Sequence, residues 1–200
     1  MSDLPVALPS RLEAIFVTAF DRAGKLVAAL DALGPIADRD VLLVGVSGGP
    51  IVDQLAAAGA RLTSAAATEP LRLDAPDASA DVVLGLWSAF RSVDAAGIAE
   101  VDRVLRPGGR HLAVHDYGRD DVSHLHGDRP EYGAWSHRLG PFLTGGFRVR
   151  VVHCFWDFDS QDAATLFLGD AFAEAGAALA ATLKRPRLSH NVAVYHRSRS

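Results

Sequence analysis

One stretch, Val41-Leu42-Leu43-Val44-Gly45-Val46-Ser47-Gly48-Gly49-Pro50, constrains the fold more than any other. Four apolar residues in a row read as a short strand buried on both faces, as in a parallel sheet covered by helices. A glycine-rich turn follows at once. Pro50 suits the first position of a helix, where a missing N–H costs nothing. Strand, glycine turn and helix start make a cradle for a phosphate, a ribose or a cofactor carboxylate. The same turn also serves simply to pack a helix on its strand, and the stretch alone does not choose between the two.

The flanking patterns fill in the architecture. Ser10-Arg11-Leu12-Glu13 has the capping-box form. Apolar residues three or four apart from Leu12 to Leu30 then predict one amphipathic helix of roughly 20 residues, ending before Gly34-Pro35. Residues 1–35 are thus expected to be a helical segment covering the sheet, and 36–200 an α/β domain. Ile51 to Ala58 reads as a short helix closed by Gly59. Arg61 to Ala66 reads as a weak second strand and Asp81 to Trp87 as a clear third. Ala95 to Arg106 follows as a helix, Pro107-Gly108-Gly109 stops it, and Arg110 to His115 is the next strand. This alternation predicts a mostly parallel, doubly wound sheet. The last third reads as a polar loop (Asp116 to Arg129), a helix (Pro130 to Leu143), a long strand (Phe147 to Phe158), an alanine-rich helix (Ser160 to Leu183) and a final strand (His190 to His196).

Bulk properties narrow the classes. Two hundred residues fit one domain, and a 49% apolar fraction supplies a substantial core. A net charge of −4 gives no reason to expect nucleic-acid or membrane-surface binding. Cys154 is alone, so no intrachain disulfide forms, in keeping with a reducing compartment. Met1-Ser2-Asp3-Leu4-Pro5 lacks the basic and apolar regions of a signal peptide, and no apolar run reaches membrane-spanning length. A soluble, cytoplasmic protein is expected.

Three segments carry a resemblance. Val41 to Gly49, Asp77-Ala78-Ser79-Ala80-Asp81-Val82-Val83, and Glu100-Val101-Asp102-Arg103-Val104-Leu105-Arg106-Pro107-Gly108-Gly109-Arg110 resemble, in order and in placement, the class I S-adenosylmethionine-dependent methyltransferases. Gly145-Gly146-Phe147, opening the penultimate strand, is also similar to that family. The resemblance covers roughly residues 36 to 197 and implies a Rossmann-like, seven-stranded sheet with an antiparallel last strand inserted beside the penultimate one. It further implies S-adenosylmethionine as cofactor and, for an active enzyme, a small-molecule methyl acceptor.

Measured against that pattern, the chain looks like a degenerate member. The family's acid two positions before the first glycine is here Leu43, and its three glycines correspond to Gly45, Ser47 and Gly49. Ser47 puts a side chain where the backbone approaches the ligand, unless Gly48 takes over that role. The acid that holds the ribose hydroxyls at the end of the second strand is here Ala66, and Glu69 is the nearest replacement. Residues 67–80 are too few for the roughly 30 of a βαβ unit, so one unit is expected to be missing. The second strand then becomes a sheet edge, which calls for a loop cover or self-association.

Ligands in open α/β sheets sit beyond the carboxyl ends of the strands. That rule gathers Gly45, Ser47, Gly48, Gly49, Trp87, Ser88, His115, Asp116 and Tyr117 around one crevice. His115 or Asp116 then fits a general base for the acceptor, against a plain reading as a polar, water-exposed strand end. His124-Leu125-His126 with Asp120, Asp121, Asp128 and His137 contains a possible metal pattern, but solvated loop histidines are the favoured reading and no metal is assigned. Cys154 reads as a buried inert thiol. Three functions stay open: an active methyltransferase, a methyltransferase-fold partner or regulatory subunit with an eroded pocket, and an α/β binding module for another ligand.

Overall fold

A computed structural model describes residues 5, 6, 8–127, 129 and 131–199. Among them six strands make one sheet, ordered β2-β1-β3-β4-β6-β5. The apolar run forms β1 (Asp40–Val44), parallel to β2 (Arg61–Ala65) on one side and to β3 (Ala80–Leu86) on the other. Next to β3 lies β4 (Leu105–Asp116), also parallel. The final strand, β6 (Arg187–Ser198), inserts antiparallel between β4 and β5 (Arg148–Asp157).

Both faces of the central strands are covered, which is why their sequences are apolar without alternation. Leu43, Leu84 and Val114 point into a core shared with Leu12, Phe16, Leu26 and Leu30 of the N-terminal segment. Leu42, Val44 and Val83 face the other way, onto Val101 and Val104 of a helix at Ala95–Val104. Further along that second face, Ala113 and Tyr195 pack with Phe142 and Phe147.

The connection between β2 and β3 is short, and no strand lies outside β2 among the described residues. The missing unit is replaced by an irregular segment fastened to the Ala95–Val104 helix. Buried Glu100 accepts the Leu73 N–H at 2.9 Å and pairs with Arg72 and Arg103 at 2.9 and 2.8 Å. Arg103 also donates to the carbonyls of Leu73 and Ala75 and to Asp77. The Arg103 contact, with those of Leu73 and Arg72, holds the Glu100 carboxyl down at about 2 against the opposing effect of burial.

Several elements differ from the sequence reading. The expected N-terminal helix is two helices, α1 (Ser10–Ala19) and α2 (Lys25–Asp31). Between them Asp21 takes φ +43°, donates its N–H to the Phe155 carbonyl, and accepts the N–H groups of Lys25 and Leu26 on its carboxylate. Asp21 therefore caps α2 from inside what looked like one helix. The Ser10–Glu13 capping box does not form, because Ser10 is already helical and Pro9 is the N-cap. After α3 (Pro50–Ala57) and α4 (Ala95–Val104), the polar loop contains α5 (Asp121–His126), started by a reciprocal Asp120–Ser123 cap. Of the helix expected over 130–143, only α6 (Pro141–Thr144) is helical, and Pro130 lies outside the described residues.

The alanine-rich helix, α7 (Gln161–Ala180), breaks at Ala173 (φ +49°) and doubles back. Gly176 is required there, since a Cβ would overlap the Leu168 carbonyl. Gln161 reaches the carbonyls of Ala180 and Leu183 at 3.4 and 3.2 Å. In a straight helix residues 161 and 180 would stand about 28 Å apart. By length and composition alone α7 is apolar enough to cross a membrane, but its reversal rules out a continuous span.

Candidate functional site

The glycine turn after β1 keeps the shape of a cradle. Gly45 and Gly49 have φ of +75° and +134°, a region L-residues rarely adopt. Around Gly48 the space is open, with nothing within 4 Å of where a Cβ would lie. Ser47 is exposed. Across the turn, Ser88 Oγ lies 3.4 Å from a Cβ placed on Gly45, so the turn abuts the end of β3. The structure thus places Gly45 and Ser88 side by side.

Trp87 turns inward instead. It has φ +44° and is 8% exposed. Its indole Nε1 donates to Asp116 Oδ1 at 2.8 Å, and His190 Nε2 reaches the same oxygen at 3.0 Å. His190 Nδ1 accepts from Trp156 Nε1 at 3.1 Å. Indole nitrogen only donates, so this contact fixes the His190 proton on Nε2, facing Asp116. His126 Nδ1 is 3.8 Å from the other carboxylate oxygen. Burial pushes the Asp116 carboxyl up, but the His126, His190 and Trp87 contacts outweigh it and hold the group well below the usual carboxylate range.

His115 leaves β4 on the opposite face from Asp116, as adjacent strand residues do. It is buried against Trp135, with ring centroids 4.8 Å apart and edge-on, and near Phe142. Burial, reinforced by Arg91, pushes its imidazole down to about 3. The two residues read as a water-exposed strand end are therefore both interior, and the structure does not bring them to one crevice with the glycine turn. Tyr117 is half-buried and donates its N–H to the Asn191 carbonyl.

A cleft of about 310 Å³ opens beside the turn, between residues 67–72 and 88–98. Leu71, Phe90, Val93 and Ile98 give it apolar walls, and His111 of β4 lines its interior. Glu69 is exposed and lines this cleft with Ser88. Arg91, also in the lining, grips buried Glu131 through both carboxylate oxygens at 3.1 Å and lies 5.1 Å over Trp135. Ala66, at the end of β2, is exposed and offers no acid. Sequence reasoning missed His111, Glu131 and His190. The available signal was a histidine inside the otherwise apolar run from His111 to Val114.

The loop carboxylates are engaged elsewhere. Asp120 accepts from Ser123 and Asn191, and Asp121 from Ser189. Among the described residues, no three His, Cys, Asp or Glu side chains gather to hold a metal ion, and Asp128 lies outside them. Cys154 is fully buried, and burial pushes its thiol up, so it stays protonated and inert.

No family model matches the chain, and no curated protein matches it. Solved structures do. A SAM-dependent methyltransferase from Thiobacillus denitrificans, in complex with S-adenosyl-L-homocysteine, is 17% identical over 95% of this chain and 99% of its own, with a TM-score of 0.54. A SAM-dependent methyltransferase from Geobacter sulfurreducens, also in complex with S-adenosyl-L-homocysteine, is 18% identical over 94% and 98%, at 0.50. The fold is the class I methyltransferase fold. At these identities the likeness is one of architecture. On this methyltransferase fold the glycine turn and the mostly parallel sheet with its inserted antiparallel strand are retained, and the unit after β2 is absent.

Proposed function

We propose that this chain is an S-adenosylmethionine-dependent methyltransferase-type protein, for a small-molecule acceptor if active, whose hold on the cofactor is weak. The observation that carries the reading is the contrast between the two ends of the cofactor site. The turn fits: Gly45 and Gly49 adopt the backbone a close ligand requires, and space is open at Gly48. The ribose end does not, because Ala66 stands where an acid is needed and Glu69 sits three residues on, exposed. When bound, the cofactor supplies an electrophilic methyl group. This chain's residues would then contribute positioning, which can supply much of the acceleration of an in-line displacement. His115 and Asp116 are buried and are assigned no proton transfer.

The test is calorimetric titration with S-adenosylmethionine and S-adenosylhomocysteine. Binding weaker than about 100 μM is expected, and low-micromolar binding of either would overturn the eroded-site reading. A second reading, a non-catalytic methyltransferase-fold partner or an α/β module for another ligand, is favoured by the inward turn of Trp87 and Asp116. Complete absence of binding to either compound would select it.

The edge of β2 supports self-association. Arg61 donates its N–H to the Arg39 carbonyl, and Ala65 accepts from the Gly45 N–H, so residues 61, 63 and 65 face β1. By alternation the N–H and C=O of Leu62 and Ser64 point outward. Nothing among the described residues pairs with this edge, and its charge, Arg61, is matched within the chain by Asp40 at 2.7 Å. A second copy pairing antiparallel along this edge meets no like-charge conflict.

A further inference from the structure

His111 is 3% exposed, and neither of its ring nitrogens has a hydrogen-bond partner among the described residues. Buried polar groups are nearly always paired, so an exception calls for a reason. Burial, with Arg197 adding to it, pushes the imidazole down to about 3. At neutral pH it therefore presents one donor and one acceptor.

Two aromatic rings flank it edge-on, Phe90 at 4.4 Å and Phe147 at 4.9 Å between centroids. Phe147 is buried in the core with Phe142. Phe90 lines the cleft and is only half-buried. Its ring packs closely on Gly85, where a Cβ would overlap Cδ2 of Phe90. Its backbone stands at φ +57°, and Trp87, three residues earlier, at +44°. Bulky residues rarely adopt this region, and such strain gathers at ligand clamps and switch segments. One aromatic side chain in a strained loop thus packs against an unpaired imidazole at the inner wall of the cleft.

We propose that this cleft binds a planar nitrogen-heteroaromatic group, which takes the place of the Phe90 ring over Gly85 and hydrogen-bonds to His111. The missing Cβ at Gly85 leaves room for a ring there, and Leu71, Val93 and Ile98 supply apolar walls. A ring bearing both an N–H and a bare nitrogen satisfies either tautomer of a neutral imidazole. The lining includes no residue of the glycine turn but shares Glu69 with the proposed ribose end, so the probes below carry neither ribose nor methionine and test this cleft apart from the cofactor reading.

Benzimidazole and indene test it, because they share a shape and differ in their ring nitrogens. Calorimetry is run on the full chain and on Phe90→Ala and His111→Phe. Benzimidazole is expected to bind the native chain at least about tenfold more tightly than indene. Phe90→Ala should raise benzimidazole affinity by about tenfold, since no ring then competes for the room at Gly85, and His111→Phe should abolish the preference. Should His111→Phe fail to fold, nitrogen-15 spectra of the native chain decide, because the His111 ring signals must shift on saturation with benzimidazole. Equal affinity for the two probes, no gain in Phe90→Ala, no benzimidazole binding by either chain, or unmoved His111 signals would each overturn the proposal.

Discussion

Trp87 Nε1 donates to Asp116 Oδ1 across 2.8 Å, and the carboxylate that receives it is 3% exposed. This contact ties the end of β3 to the end of β4, and His190 extends it to β6. Asp116→Asn keeps the shape but presents an amide where donors already point. A loss of about 2–4 kcal/mol in urea unfolding is expected, in line with breaking a buried charged network. Because the folded carboxyl lies below its unfolded value, this stabilisation is full above about pH 4 and is lost only as pH falls further. A cost under about 1 kcal/mol would show that the network is not a structural tie.

His111 and His115 set a different pH dependence. Both are pushed down to about 3 by burial, so the folded chain keeps them neutral while the unfolded chain protonates them near pH 6.5. Stability should therefore fall as pH drops below about 6.5, by up to roughly 1.4 kcal/mol per histidine per pH unit. Unfolding curves at pH 7.5 and 5.5 measure it. His111→Phe should remove about half of the slope, and a flat profile would contradict neutral burial.

What the sequence showed and hid follows from the range of the interactions. The strands Val41–Val44 and Val82–Leu86 were legible because burial on both faces leaves only apolar residues. The missing unit was legible from the short stretch before Asp81. Asp21 was not, since its role depends on the Phe155 carbonyl, far along the chain. The reversal of α7 was hidden for a related reason: of its two glycines, Gly169 and Gly176, only Gly176 is required by the turn, and no local pattern tells it from the other. At the site, the turn glycines were found from local pattern. The interior fate of Asp116 depends on His190, 74 residues away, and no local pattern encodes it.

Arg103 is the fastening of the shortened crossover. It reaches Glu100, Asp77 and the carbonyls of Leu73 and Ala75. Arg103→Met should free residues 71–79 without disturbing the strands on either side. Amide exchange should quicken at Leu73, Ala75 and Ala78, with β1 and β3 still protected. Unchanged exchange in that segment would mean that apolar packing of Leu71, Leu73 and Ala75 holds it unaided.

The edge of β2 gives a test in solution. Sedimentation over a range of concentrations should show a reversible dimer, and Ser64→Pro should abolish it. Proline at 64 removes an N–H that faces away from β1, so the intrachain ladder survives while the outer one cannot form. A native chain that stays monomeric at high concentration would count against self-association there.

The sharpest test of the cofactor reading is to restore what Ala66 lacks. An acid at the end of β2 accepts hydrogen bonds from ribose hydroxyls, and a charge-assisted hydrogen bond contributes about 1.5–3 kcal/mol. Ala66→Asp should therefore tighten S-adenosylhomocysteine binding by roughly 10- to 150-fold. The site is exposed, so the substitution should leave stability unchanged. Glu69→Ala distinguishes the alternative. If Glu69 already serves the ribose, its removal should weaken binding clearly in the native chain and Ala66→Asp should add little. If it does not, Glu69→Ala should be silent and the gain from Ala66→Asp complete. Calorimetry on the three proteins, with the native chain as reference, separates the outcomes. A folded Ala66→Asp variant with no gain, beside a silent Glu69→Ala, would place the weakness elsewhere than the ribose end and leave Ser47, in the turn itself, as the residue to change.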